Sequence, residues 1–212
     1  MTYSVKECYL TIQGEGVQTG RPAVFLRFAG CNLWSGREQD RLSAVCKFCD
    51  TDFVGTDGPG GGKFGTVAAL ADHVASFWPE GDVSGERWVV CTGGEPLLQL
   101  DADLIAALHD ARFKIAVESN GTIKAPEGID WLTVSPKANA VLAQTSGHEL
   151  KLVYPQVENQ PTDFERLDFD NFSLQPLDNE KQAENAQAAF EYCLANPRWR
   201  LSVQTHKWLG VP

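Results

Sequence analysis

No stretch of this chain is apolar enough, for long enough, to cross a bilayer as a helix. The longest such runs, Ala23 to Leu26 and Val74 to Trp78 broken by Ser76, fall far short of the roughly 20 residues a span needs. The first residues, Lys6 and Glu7 among them, carry no basic stretch leading into an apolar segment, so no secretory leader is expected and the expected compartment is the cytoplasm. A basic surplus is missing as well. With 18 Lys and Arg against 28 Asp and Glu, the net charge of −10 excludes a broad nucleic-acid surface, which needs clustered cations. It leaves room for a small anion held by one well-placed Arg. Cysteine is scarce: six in 212 residues do not scaffold a chain of this size, and in a reducing compartment they point to metal or redox chemistry plus buried thiols. Repeats, biased tracts and shifts of composition are absent, and one domain over residues 1–212 is expected.

What is present alternates between strand and helix signals. Tyr3 to Ile12 is a strand or hairpin arm, followed by a Gly-rich turn through Gly14, Gly16 and Gly20. Ala23 to Phe28 is a buried strand. A long cysteine-bearing loop runs from Cys31 to about Gly62. Thr66 starts a helix that puts Val67, Leu70, Val74 and Phe77 on one face. Strands are expected over Arg87 to Cys91, Lys114 to Glu118, Trp131 to Val134, Glu149 to Val153, Asn171 to Leu174 and Arg200 to Gln204. Helices are expected over Asp101 to Ala111 and Lys181 to Ala195. This alternation predicts an α/β fold with a largely parallel sheet and helices packed outside it.

Ligands of such sheets sit beyond the carboxyl ends of the strands. Five polar or Gly-rich segments fall there: 29–31, 92–96, 118–121, 135–137 and 175–178. They predict a single site.

Cys46-Lys47-Phe48-Cys49 is a CxxC, with Cys31 upstream across fourteen intervening residues. Structural zinc normally takes four ligands. Cys8, Cys91 and Cys193 lack such spacing and fit buried hydrophobes better. Three cysteines fit an iron–sulfur cluster whose remaining iron is open to a substrate, since clusters held for electron storage usually have four thiolates. A zinc-stabilised binding module remains the alternative from another class.

Gly30-Cys31-Asn32-Leu33-Trp34, Cys46-Lys47-Phe48-Cys49-Asp50-Thr51 and Thr92-Gly93-Gly94-Glu95-Pro96 resemble the two signatures of radical S-adenosylmethionine enzymes. Thr11-Ile12-Gln13-Gly14-Glu15-Gly16, Arg27-Phe28, Cys49-Asp50-Thr51 and Ser135-Pro136-Lys137 are similar to segments of the 7-carboxy-7-deazaguanine synthase family within that group. The resemblance covers nearly the whole chain from about Gln13. It implies a partial β/α barrel that holds a [4Fe–4S] cluster and S-adenosylmethionine, which is cleaved reductively to a carbon radical. The cluster ligands would be Cys31, Cys46 and Cys49. One departure stands out: the family loop has three residues between its first two cysteines, and here that position is Ser35. An insertion after Trp34 that carries the second ligand to Cys46 is the simplest account; a Ser35 ligand or a cluster lacking one iron are the others.

The resemblance further implies that Phe48, Cys49, Asp50, Gly93, Gly94, Glu95, Ser135, Pro136, Lys137, Gln175, Pro176, Leu177 and Asp178 contact the cofactor. Glu95 would supply negative charge, and Lys137 would pair with the cofactor carboxylate. Thr51 would hold Mg2+, a hard ion that prefers oxygen. The implied substrate is 6-carboxy-5,6,7,8-tetrahydropterin, met by Ile12, Gln13, Gly14, Glu15, Arg27, Thr92, Gly94, His206 and Pro212. Arg27 interrupts an apolar strand and so needs an anion, either the substrate carboxylate or an internal acid such as Glu15. Gln13 and the backbone of Gly14 suit the pterin edge. An external one-electron reductant such as a flavodoxin and a homodimer are implied too. A glycyl-radical activase shares the cluster motif but not the Gln-Gly-Glu-Gly segment or Arg27.

Overall fold

The computed structural model describes residues 2–81 and 85–212. Nine strands form one sheet: β1 (Tyr3–Ile12), β2 (Pro22–Phe28), β3 (Gly62–Phe64), β4 (Arg87–Gly93), β5 (Phe113–Ser119), β6 (Trp131–Val134), β7 (Ser146–Tyr154), β8 (Asp168–Pro176) and β9 (Trp199–Leu201). Their order is β3-β1-β2-β4-β5-β6-β7-β8-β9, antiparallel among β3, β1 and β2 and parallel from β2 to β9. β3 and β9 are open edges, so the barrel is incomplete. Among the described residues four α-helices accompany it: α1 (Val67–Ala75), α2 (Ala102–Asp110), α3 (Gln182–Ala195) and the short α4 (Thr205–Leu209). No helix among the described residues is long and apolar enough to cross a membrane.

Side chains of a strand alternate between its faces, and here the alternation separates core from site. Val24, Leu26 and Phe28 of β2, Val89 and Cys91 of β4, Ile115 and Val117 of β5, and Leu150 and Leu152 of β7 join one buried cluster. Leu70 and Val74 of α1, Leu104, Ile105 and Leu108 of α2 and Ala189 of α3 complete it. The intervening positions face the barrel interior. Ala23, Trp88, Val90 and Ala116 pack a small apolar floor there, while Arg27, Thr92, Glu118 and Lys151 line a cavity.

The turn after β1 bridges the gap left by the open edges. Gly16 N–H donates to Ser202 Oγ at 2.8 Å, Thr205 N–H to the Gly14 carbonyl at 3.0 Å, and Val17 N–H to the buried Glu149 carboxylate at 3.0 Å. Gly16 has φ of +67°, and a Cβ there would fall 2.7 Å from Glu149 Oε1, so glycine is required twice over.

The expected elements are found with two departures. The last strand stops at Leu201 instead of Gln204, and α4 follows it. β3 closes the far edge at Gly62–Phe64, where the sequence has glycines and no apolar alternation to announce it.

Candidate active site

The five predicted segments meet at the carboxyl ends of the parallel strands. Glu95 N–H donates to the Gly30 carbonyl at 3.0 Å, and Ser135 N–H to the Ser119 carbonyl at 2.8 Å. Gly94 packs against the cysteine loop so closely that a Cβ there would lie 2.6 Å from Cys31 Cβ.

Cys31, Cys46 and Cys49 gather beside this junction. Cys46 is buried, the other two are half-buried, and all three are free thiols. Burial pushes the Cys31 and Cys46 thiols up, and each is raised further by its cysteine neighbours; for Cys46 the ammonium of Lys137 works against this. Binding iron would therefore displace protons from these sulfurs. Among the described residues, no three His, Cys, Asp or Glu side chains converge tightly enough for a single metal ion. A cluster is wider than one ion, and three facing thiols over a side-chain-free Gly94 fit it in donor chemistry. Cys8 and Cys91 sit in the core, facing away from this group.

The insertion after Trp34 is folded back on itself. The N–H groups of Val45 and Cys46 both donate to the Leu33 carbonyl, at 3.1 and 3.3 Å, which pinches residues 34–45 into a closed loop. Cys46 therefore re-enters beside Leu33. Ser35 is tied into the insertion, donating to Asp40 Oδ2 at 2.6 Å and accepting from Arg37 N–H.

Two cavities meet at this end of the sheet, and one of them is lined by Cys46 and Cys49. The smaller, about 190 Å³, is lined by Cys46, Phe48, Cys49, Gly93, Gly94, Ser135, Lys137, Gln175, Pro176, Leu177 and Asp178. Nearly every expected cofactor residue is thus brought together. Pro136 turns to a separate small pocket. Glu95 also stands apart from the cavity wall. It is fully buried, and its carboxylate accepts from Leu97 N–H, Ser119 Oγ and Asn120 N–H at 3.0, 2.9 and 2.7 Å. It thus lies next to the cavity-lining Gly94, with its carboxylate turned to these three donors. Lys137 donates to Ser135 Oγ at 2.6 Å and lies 6.0 Å from the Phe48 ring; burial lowers its pKa.

The larger cavity, about 330 Å³, is lined by Ile12, Gln13, Gly14, Glu15, Arg27, Thr92, His206 and Pro212, all expected, and by Glu7, Tyr9, Glu118 and Lys151. Gly94 belongs to the smaller one. Asp50, Thr51, Glu15, Glu118, Lys151 and Gln204 line both, so the cavities meet there.

Arg27 pairs with Glu7, its neighbour across the β1–β2 ladder, through Nε at 2.6 Å; Nη2 reaches Tyr9 Oη at 3.4 Å. Glu15 is therefore not its internal partner. Glu15 instead shares the buried Lys151 with Glu118, at 2.7 and 2.8 Å, and accepts from Gln204 at 2.8 Å. Burial opposes charge on all three, but the Lys151 ammonium holds Glu15 at about 2, and the carboxylates of Glu118, Glu15 and Glu149 outweigh burial to raise Lys151. At Glu118 burial prevails and its pKa is raised. Gln13 donates to Glu118 Oε1 at 3.2 Å and accepts from Glu15 N–H at 3.1 Å. Of the Gly14 backbone, expected to suit the pterin edge, the carbonyl accepts from Thr205 N–H and Oγ1. His206 stacks beneath Gly14, and burial lowers its pKa.

Sequence reasoning overlooked Lys151, Glu118 as a lining group, and Glu7. Their signal is period two: charged residues on the inward face of strands whose outward face is apolar. Gln204 and Lys207, which pairs with Asp50 and Asp178, carry no comparable signal.

No family model matches the chain. It is 63% identical over 212 residues, the whole of both chains, to a 7-carboxy-7-deazaguanine synthase of Caulobacter vibrioides. It is 57% identical over 212 residues, again the whole of both, to that of Bordetella pertussis. Among solved structures, QueE from Escherichia coli shares the fold at a TM-score of 0.68 and 24% identity, covering 96% of this chain and 94% of that one. With the three cysteines and two adjoining cavities in place, the chain belongs to the family of 7-carboxy-7-deazaguanine synthases.

Proposed function

We propose that this chain is a lyase that converts 6-carboxy-5,6,7,8-tetrahydropterin to 7-carboxy-7-deazaguanine with loss of ammonia, on the route to deazapurine nucleosides such as queuosine. When bound, a [4Fe–4S] cluster and S-adenosylmethionine supply the one-electron chemistry that activates a substrate C–H bond. The chain's own residues position and enclose the reactants.

Cys31, Cys46 and Cys49 hold the cluster, and the smaller cavity takes the cofactor. Gly93 and Gly94 let backbone approach its methionine part, with Ser135, Lys137, Gln175, Pro176, Leu177 and Asp178 around it. Glu95 acts from behind by fixing Ser119 and Asn120. Asp50 and Phe48 complete the wall. Thr51, at the junction, offers a hard oxygen for Mg2+ that suits a substrate supplying further oxygens.

The observation that carries the proposal is the larger cavity: it shares Glu15, Asp50, Thr51, Glu118, Lys151 and Gln204 with the smaller one and has the Arg27 guanidinium on its wall. Glu7 occupies the Nε edge of Arg27, and among the described residues Nη1 has no hydrogen-bond partner, so the guanidinium can still receive a substrate carboxylate. Gln13 and the Glu118 carboxylate it donates to line the same cavity and suit the hydrogen-bonding pterin edge. Work as a homodimer in the cytoplasm, with electrons from a flavodoxin-like donor, completes the proposal; the free thiols suit a reducing compartment.

The test is incubation of anaerobically reconstituted protein with the tetrahydropterin, S-adenosylmethionine and reductant. Mass spectrometry should detect the deazapurine, and Arg27→Met should lower kcat/KM for the pterin by about 2–5 kcal/mol equivalent while substrate-free cofactor cleavage persists. Cofactor cleavage by the wild type with no deazapurine would contradict it.

A further inference from the structure

The insertion after Trp34 places one side chain where it grips the cysteine turn. Arg41 sits in a 3-10 helix (Glu38–Ser43) that buries none of its own residues. Its guanidinium lies 4.1 Å over the Trp34 ring. From there Nη1 donates to the carbonyls of Lys47 and Cys49, at 3.0 and 3.1 Å, while Nε is held by Glu38 at 2.8 Å. Trp34 is itself anchored: it is buried, packs edge-on against Phe53 at 5.6 Å, and donates from Nε1 to the Arg37 carbonyl at 3.2 Å.

We infer that Arg41 is a positioning residue for the iron–sulfur site, a latch by which the insertion fixes the geometry of Cys46 and Cys49. This rests on the reading of those two cysteines as cluster ligands.

The physical case starts from what an insertion costs. A longer loop between two ligands adds closure entropy and leaves the second ligand less constrained. The bonds of Val45 and Cys46 to Leu33 restore the position of Cys46, but they act only on its amino side. The orientation of the turn that follows depends on the two peptide planes that bracket Phe48 and Cys49, Lys47–Phe48 before them and Cys49–Asp50 after them. Those are the planes whose carbonyls, of Lys47 and Cys49, Arg41 ties to one nitrogen. Holding both fixes the spacing of the two sulfurs and the placement of Phe48, which walls the smaller cavity. A charge-assisted pair of bonds is stronger than neutral ones. The planar guanidinium can also stack on Trp34 while donating in its own plane, whereas an ammonium cannot do both. Groups that orient metal ligands without touching the metal commonly change metal affinity about 10- to 100-fold when removed.

The test compares wild type, Arg41→Gln and Arg41→Lys as reconstituted holoenzymes and as apo-proteins. Iron release to excess bathophenanthroline should be about 10- to 100-fold faster in both variants. In the apo-proteins, iodoacetamide should alkylate Cys49 faster in the variants, with circular dichroism and melting temperature unchanged. Arg41→Lys is the decisive arm because it keeps the charge and loses the planar fork. Wild-type release and alkylation rates in Arg41→Lys would overturn the latch, as would unchanged rates in both variants or loss of the folded sheet. A wild type that takes up no iron would sink the cluster reading itself, which separates the two failures.

Discussion

At the scale of single residues, the site is governed by where charge is compensated. Glu15 is largely buried, yet its pKa falls to about 2 from 4.5: burial works against ionisation, but Lys151 and the Gln204 amide outweigh it. A carboxyl lowered in the folded state stabilises the fold above its unfolded value. That contribution is lost as the pH falls from 4.5 toward 2. Glu15→Gln removes it at every pH. Urea unfolding should therefore show a wild-type advantage over Glu15→Gln at about pH 6 that shrinks by about pH 3. A gap of constant size across that range would show that Glu15 stabilises through shape alone. Arg27 teaches the complementary lesson. The sequence marked it as a charge in need of an anion, and β-register supplied one, Glu7, that no motif distinguishes. Glu95 followed the same logic: its motif was legible, but the three donors that absorb its carboxylate come from a 3-10 turn at Pro96–Leu98 and the end of β5.

Elements were legible where local chemistry decides them. Thr66 and Asp101 precede their helices as caps, accepting from Ala69 and Leu104 N–H. Asp101 does more: it also accepts from Tyr3 Oη at 2.8 Å, joining α2 to β1. Asp101→Ala should cost about 1–2 kcal/mol in urea unfolding, and Asp101→Asn less, because the amide oxygen can still cap. Equal losses in the two variants would mean that charge, not the cap, is what matters. The elements that escaped the sequence are those made by pairing. β3 is three residues whose strand character comes from lying against Tyr3, Ser4 and Val5. α4 is five residues with no buried side chain, placed by the bonds of Thr205 to Gly14. Neither has a periodic signal to find. The inserted loop is a third case: the motif suggests Cys46 in place of a nearer ligand, while the loop's closure through Leu33 depends on hydrogen bonds that leave no trace in composition.

At the scale of the molecule, an open sheet solves a placement problem. Parallel strands deliver the cysteine loop, the Gly93–Gly94 turn and the segments at Ser119, Ser135 and Gln175 to one end. The gap between the free edges is spanned by the turn of residues 13–17 and by α4, which bring Gln13, Glu15 and His206 against the same interior. Two cavities sharing Thr51, Glu15, Glu118 and Lys151 are the result, one beside the thiols and one beside Arg27. Everything turns on three sulfurs that leave one iron free to meet the cofactor. Electron paramagnetic resonance of the reduced, anaerobically reconstituted protein, recorded before and after adding S-adenosylmethionine, reports that directly. The account predicts a [4Fe–4S] signal whose shape changes when the cofactor binds; a signal indifferent to the cofactor, or zinc in place of iron, would contradict it.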